Sequence, residues 1–163
     1  MGVDKQICVI LKNEPGELAK LCDVLESNDV NILAISIQNA KNYLMELFHA
    51  REKTGRRITV ADHYRGILQE TSSYSVIRLV VDHPDVALNA LNERDYPVDS
   101  ADVLVLKLKN EPGVLGNMAR RLSKENINID YVYGSVMENE DTSIFVFHVD
   151  ENDWDRAVQE FVR

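Results

Sequence analysis

The hexapeptide LKNEPG at residues 11–16 occurs again, unchanged, at residues 108–113. The offset of 97 residues also relates residues outside the hexapeptide. It also places Leu18 on Leu115 and Asn31 on Asn128. Self-similarity at one fixed offset indicates a structural unit that is present twice. Each copy has an asparagine just before a Pro-Gly helix start and a second asparagine just after that helix. A duplicated polar pair favours a binding module over an enzyme.

The hydrophobic pattern of the first copy alternates between the strand period and the helix period. Apolar runs predict strands at 6–11, 30–37 and 75–81, and a short closing strand at 96–98. The first helix follows Pro15-Gly16. The second begins at Pro84, a favoured first helical position, with Val86, Leu88 and Leu91 on its buried side. The apolar stripe predicted for the first helix consists of Leu18, Leu21, Cys22 and Leu25.

The second copy repeats this order of strands and helices. Strands are predicted at 103–108, 127–132 and 143–149. Asn152 is predicted to cap a last helix, and no closing strand is evident before residue 163. The stripe predicted for its first helix consists of Leu115, Met118, Ala119 and Leu122.

The expected fold class is therefore α+β, with two ferredoxin-like βαββαβ units in tandem and helices on one face of antiparallel sheets. The first unit covers residues 1–100 and the second covers 101–163. Residues 41–71 have no counterpart in the second copy, and their pattern predicts a helical hairpin inserted in the first unit.

Composition excludes several classes of protein. The net charge is −9 and no run of Lys and Arg is longer than two, so neither nucleic acid nor an anionic membrane surface is an expected partner. No signal peptide and no stretch of about 20 apolar residues is evident. The two cysteines do not form a disulfide framework. We expect a cytoplasmic protein.

The repeated loop has the chemistry to hold a small zwitterion. Asn13 and Asn110 each precede a helix start, where unpaired N–H groups and a partial positive charge suit a carboxylate. The backbone of Gly16 and Gly113 permits close approach. Asn31 and Asn128 open the next strand, which we expect to lie near the first. Ordinary turn chemistry, with each amide bonded to its own backbone, is the alternative.

On these residues both copies resemble the ACT domain, a small amino-acid-sensing module, and the whole chain resembles stand-alone proteins of two tandem ACT domains. The resemblance implies a βαββαβ fold and effector binding where two ACT domains meet. It implies ligand contacts at Asn13, Gly16, Asn31, Asn110, Gly113 and Asn128. Serine-sensing members have a histidine two residues before the first asparagine. This chain has leucines there, which argues against serine.

No motif for catalysis, metal or cofactor is evident, and none of the four histidines has a metal-ligand spacing. The first hypothesis is therefore a non-catalytic regulatory protein that binds an amino acid and acts on an enzyme or other protein. The second is an assembly module without a small ligand. A small enzyme is a third, weaker possibility. We also expect a homodimer, because the absent last strand of the second copy would leave a sheet edge uncovered.

Overall fold

A computed structural model describes residues 2–39, 73–135 and 141–161. The predicted hairpin at 41–71 lies outside these ranges. The described strands are β1 (Gly2–Lys12), β2 (Ile32–Asn39), β3 (Tyr74–Val81), β4 (Val98–Lys109), β5 (Tyr131–Ser135) and β6 (Thr142–His148). The described helices are α1 (Glu17–Glu26), α2 (Pro84–Asn92), α3 (Val114–Lys124) and α4 (Trp154–Phe161), the last preceded by a 3₁₀ turn at Glu151–Asp153.

All six strands form one antiparallel sheet in the order β2-β3-β1-β4-β6-β5. The predicted α+β class with tandem ferredoxin-like units is confirmed. The two units join edge to edge within this single sheet. Strand β4 is the reason. It runs without a break through the expected boundary at residue 100.

Strand β4 belongs to both units. Its first half pairs with β1 as the closing strand of unit one, and its second half pairs with β6 as the first strand of unit two. In the β1–β4 ladder Lys5 lies opposite Asp102. These two positions are separated by the repeat offset, so an approximate two-fold axis passes between them. The start of β1, from Gly2 to Asp4, therefore occupies the closing-strand position of unit two.

This pairing removes the reason given above for a homodimer. The edge of unit two that lacked a strand of its own is covered by β1 of the same chain. Within the described ranges, the outer strands of the sheet are β2 and β5.

The helices cover one face of the sheet over two hydrophobic cores. One core lies under α1 and α2, and the other lies under α3 and α4. Alternate residues of the strands supply them, as the period of two requires. Leu21 and Leu25 are buried as predicted, whereas Leu18 and Leu115 in the first turns are 38% and 39% exposed. Their place in the buried stripe was therefore wrongly predicted.

Two smaller predictions also need correction. In α2 the buried residues are Ala87, Ala90 and Leu91, and Val86 is exposed. Leu91 was correctly predicted and Leu88 packs partly buried against the core, so only Val86 was wrongly placed. The last helix is not capped by Asn152. Asp150 caps the 3₁₀ turn by accepting from the backbone N–H of Asn152 at 2.9 Å.

The helix-free face of the sheet is also largely buried. Although β2 and β5 are the outer strands, they contact each other, so the sheet curls around this face. A third apolar cluster lies inside the curl and draws on both units: Ala34, Val80, Val103 and Val146. The two repeats are thus joined twice, by the β1–β4 ladder and across this inner face. The described helices are too short and too polar to cross a bilayer.

Candidate functional site

The two copies of the loop are built in the same way. Gly16 and Gly113 occupy the N-cap positions of α1 and α3 with left-handed φ values of 93° and 89°, which favour glycine. Neither helix start has a side-chain cap. The backbone N–H of Asn13 donates to Ser73 O at 2.7 Å, and that of Asn110 donates to Asp141 O at 2.9 Å. Neither of these backbone hydrogen bonds was predicted from the sequence.

The two asparagines of one repeat do not come together. In unit one, Asn13 follows the end of β1 that pairs with Tyr74, whereas Asn31 precedes the part of β2 that pairs with Val81. These partners are the two ends of β3, about 20 Å apart at the rise of a strand. Unit two has the same arrangement for Asn110 and Asn128. The expected proximity was wrong because β2, although near β1, starts at the opposite end of the sheet.

Asn31 and Asn128 each line a hollow, and the two hollows correspond to one another. The first, of about 470 Å³, lies between the end of α1 and the start of β2. The second, of about 490 Å³, lies between the end of α3 and β5. Under the repeat offset Cys22 corresponds to Ala119, and both residues line their hollows. The duplication therefore preserved a concave surface as well as a motif.

The two hollows differ in charge. The first is bordered by Glu26, Asp29 and Asp82, with His83. In the second, Ser123 and Asn126 stand where the first has Glu26 and Asp29. Asp82 is already engaged, since its Oδ1 accepts from the backbone N–H of Asn31 at 2.9 Å. Any ligand of both hollows would meet different electrostatics in each.

A buried serine stands beside each copy of the loop. The ladders pair Ser75 with Leu11 and Ser143 with Leu108, so the two serines are equivalent. Both are buried. The hydroxyl of Ser75 donates to Asn13 Oδ1 at 3.4 Å. The hydroxyl of Ser143 has no hydrogen-bond partner among the residues that the structure describes. Sequence reasoning missed both serines, which look like ordinary strand residues.

A buried polar cluster lies on the inner face and joins the two repeats. Gln6 is fully buried. Its Nε2 donates to Tyr131 Oη at 2.7 Å and to Cys8 Sγ at 3.2 Å. Its Oε1 accepts from Tyr133 Oη at 3.0 Å. Tyr131 and Tyr133, two residues apart on β5, share this strand face. Every polar atom of the Gln6 side chain thus has a partner, and two of the partners belong to the other repeat.

Further side chains extend the cluster around Tyr131. The guanidinium carbon of Arg78 lies 4.4 Å from the centre of the Tyr131 ring, and Arg78 also donates to Gln38 Oε1 at 3.3 Å. The imidazole of His148 stacks on the other side of Tyr131 at 4.7 Å. His148 Nδ1 lies 3.1 Å from Asp130 Oδ2. The cluster thus fixes how the repeats face each other.

Comparison of the repeats explains why the cluster forms. The offset places Ala34 and Ser36 where unit two has Tyr131 and Tyr133, and Gln6 where it has Val103. Unit one presents small side chains and a buried amide, and unit two presents large rings. The two inner faces are therefore complementary rather than identical. Alignment of the repeats shows the difference in side-chain size from the sequence alone. That the small and large side chains face each other follows only from the curl of the sheet.

Burial of the two tyrosines has a consequence at alkaline pH. Burial raises the pKa of Tyr131 and Tyr133, and for Tyr133 the neighbouring Tyr131 raises it further. The unfolded chain releases the phenolic protons near pH 10, while the folded chain still holds them. Above pH 10 the folded state therefore binds more protons, and its stability must fall as pH rises. Urea unfolding from pH 8 to 11 should show this loss, and Tyr133→Phe should reduce its slope.

The described residues offer no metal site. No group of three or more His, Cys, Asp or Glu side chains in the described ranges is arranged to hold a metal ion. Cys8 and Cys22 are free and half-buried.

Comparison with known proteins agrees with the fold. Residues 57–161, more than half of the chain, match the family model described as an ACT domain pair. No curated protein matches the chain by sequence. Among solved structures, protein BT0572 from Bacteroides thetaiotaomicron is similar with a TM-score of 0.69 and 23% identity over 97% of this chain and 88% of that one.

Two further similar structures carry a function in their names. The regulatory subunit of aspartate kinase from Thermus flavus has a TM-score of 0.55 and 15% identity over 98% of this chain and 92% of that one. The ligand-free regulatory subunit from Thermus thermophilus has the same TM-score and identity, over 98% of this chain and 95% of that one. At these identities the similarity establishes the fold alone.

Proposed function

Because the chain belongs to the family of ACT domain pairs, we propose that it is a non-catalytic regulatory protein that binds a small effector, most simply an amino acid, where its two ACT units meet. The observation that carries the proposal is duplication of the loop. Both copies end a strand in Asn-Glu-Pro-Gly and open a helix that has no side-chain cap. Such helix starts favour a carboxylate. The Thermus proteins, which are named as regulatory subunits, support the same role here.

The proposed ligand residues fall into two places in each unit. Asn13 with Gly16, and Asn110 with Gly113, belong to the helix starts. Asn31 and Asn128 belong to the hollows at the opposite end of the sheet. A single amino acid cannot contact both places of one unit. The effector would therefore use one of these places together with groups from a neighbouring unit or chain.

Regulation would act through the contact between the repeats. The inner-face cluster and the β1–β4 ladder hold one relative arrangement of the units. Suppose that the units can also adopt a second relative arrangement. An effector that binds one arrangement more tightly than the other would shift the populations of the two arrangements. A differential affinity of about 1–3 kcal/mol is typical of such coupling. The regulated target would be an enzyme or another protein that senses the arrangement.

Binding of an effector can be tested on the whole chain with the twenty amino acids. At a concentration a hundredfold above its dissociation constant, an effector adds about 2.7 kcal/mol to the free energy of unfolding. This corresponds to an increase of several degrees in the melting temperature. We expect one amino acid or a chemically related pair to produce it, and calorimetry to give a saturable heat. If all twenty leave the melting temperature unchanged at 10 mM, the proposed function is wrong.

A second candidate function, assembly without a small ligand, is favoured by one observation. On the outer strand β2, Leu33, Ile35 and Ile37 are exposed, Ile37 by 51%. Apolar side chains on an outer strand suit pairing with another chain. A homodimer joined there would satisfy this surface. Light scattering after size exclusion should then show a dimer for the natural chain and a monomer for Ile35→Asp/Ile37→Asp. A natural chain that is monomeric at 50 µM contradicts this assembly.

A further inference from the structure

A third hollow lies where the two repeats join and differs from the two hollows described above. Its volume is about 410 Å³, and it lies beside the part of β4 that precedes the β4–β6 ladder. We propose that this seam hollow binds a small alkylammonium ion. The site goes beyond the proposed function, because none of the residues proposed to contact the amino acid lines this hollow.

The seam hollow exists because β6 does not follow the whole of β4. Their ladder begins at Leu104, so the earlier part of β4 lies beside the segment that leads from β6 into α4. The first repeat has an equivalent gap. There the ladder between β1 and β3 begins at Gln6 and leaves the start of β1 beside the segment that leads into α2. The approximate two-fold axis between Lys5 and Asp102 relates the two gaps.

In the first repeat a cation of the chain itself crosses the gap. The Lys5 ammonium lies 3.8 Å from Asp85 Oδ1, in the first turn of α2. In the second repeat the first turn of α4 is also acidic, with Asp155, but Asp102 stands at the position of Lys5. The second gap thus has an acid in the place of the cation. The side chain of Lys5 is an alkylammonium group, so the first repeat indicates the ligand chemistry that the second gap would accept.

Three carboxylates border the seam hollow, those of Asp99, Asp102 and Glu151. Asp99 Oδ1 accepts from the next backbone N–H at 2.8 Å. Within the described ranges, no hydrogen bond or ion pair engages the side chains of Asp102 and Glu151. The imidazole of His148, also in the lining, is engaged by Asp130 Oδ2 at 3.1 Å. A single positive charge in the hollow would therefore be attracted by all three carboxylates and would offset their mutual repulsion.

The rest of the lining suits an alkyl chain. Ala101, Val149 and Trp154 border the same hollow. Val149 is buried in the core of the second repeat, and Trp154 packs partly buried against that core, so the fold holds this apolar wall in place. An indole ring attracts an ammonium group, and methylene groups pack well on apolar surface. A bare metal ion does not fit, because the described His, Cys, Asp and Glu side chains include no group arranged to hold one.

The test is a titration of the full chain with n-butylammonium chloride, which is the lysine side chain as a free ion, followed by ¹H–¹⁵N correlation spectra. The matched controls are n-butanol for the alkyl chain and sodium chloride for ionic strength. We expect the amides of Asp102 and Glu151 and the indole N–H of Trp154 to shift and saturate with the ammonium ion alone. The amide of Asp85, at the gap of the first repeat, should stay in place.

Substitutions at exposed positions test the comparison between the two gaps. Asp102→Asn removes one carboxylate charge and should weaken n-butylammonium binding about fivefold, the upper range for an exposed ion pair. Asp102→Lys copies the first repeat, so the chain supplies its own cation and saturable binding should disappear. Asp23→Asn removes the same charge from α1 and should leave binding unchanged. Thermal unfolding of each variant checks that it is folded, and Asp102→Asn decides if Asp102→Lys is not.

Saturable shifts at the seam hollow that are weakened by Asp102→Asn and lost in Asp102→Lys would support the inference. Three results would overturn it: shifts that never saturate, equal shifts with n-butanol, or binding that neither substitution of Asp102 diminishes. The two proposals fail separately. A chain that does not bind n-butylammonium but is stabilised by an amino acid would contradict this inference and leave the proposed function standing. The opposite pair of results would support this inference and contradict the proposed function.

Discussion

Replacing Gln6 with valine, the residue at the equivalent position of the second repeat, should lower the free energy of unfolding by about 3 kcal/mol. The change removes the partner of two tyrosine hydroxyls, Tyr131 Oη at 2.7 Å and Tyr133 Oη at 3.0 Å. Each partly buried group left without a partner costs about 1–3 kcal/mol, and the smaller side chain leaves space behind it. Urea unfolding followed by circular dichroism measures the loss directly.

The cluster supplies its own control for this experiment. If the loss comes from unpaired hydroxyls, removing them should restore stability. We expect Gln6→Val/Tyr131→Phe/Tyr133→Phe to recover most of the loss, because an apolar replacement of all partners leaves no polar group unsatisfied. A Gln6→Val protein within 0.5 kcal/mol of the natural one would mean that the cluster does not join the repeats.

The second large effect is expected at Gly134, on β5. A Cβ atom at this position would lie 2.6 Å from Phe145 Cδ1 and 2.8 Å from the carbonyl oxygen of Ile144. The ring can turn aside only by losing packing contacts, and the carbonyl belongs to the paired strand β6, so β5 must shift. Gly134→Ala should therefore cost about 2 kcal/mol, in the range of overpacked interiors. Because β5 holds Tyr131 and Tyr133, the same shift should loosen their bonds to Gln6.

Gly2→Ala is the matched control for this substitution. Gly2 also lies in a strand, but a Cβ atom there meets nothing within 4 Å. Its unfolding midpoint in urea should be unchanged or slightly higher. Equal behaviour of the two alanine variants would show that β5 is free to move away from β6, against the packing described for it.

The sequence was most informative where one local pattern decides one local structure. The repeated hexapeptide, followed by leucines at helical spacing, predicts a strand, a turn and a helix in both copies, and the structure has them. Leu104, Leu106 and Leu108, at alternate positions of β4, all lie in the core under α3 and α4. The ferredoxin-like order followed from these elements. Nothing beyond neighbouring residues was needed, because capping, turn geometry and periodicity are all local effects.

Prediction failed where distant parts of the chain meet. Spacing along the chain cannot show at which end of a sheet a strand begins, so Asn13 and Asn31 were expected to be close. The role of Gln6 depends on β5 folding over β1, which lies three places away in the sheet. Strand β4 was read as two strands because residues 99–102 break the apolar pattern. Their polar side chains are tolerated because β1 supplies the backbone partners.

The exchange of strand positions at the approximate two-fold axis makes each half of the chain dependent on the other. A fragment ending before residue 98 would lose its closing strand, and a fragment beginning there would lose the segment that borders it on one side. We therefore expect neither half to fold as a self-sufficient domain. An ancestor with one copy would have had to form this sheet by exchanging strands between two chains. Fusion of the duplicated genes would then have made the exchange permanent, leaving the two copies free to diverge into a small-residue face and an aromatic one.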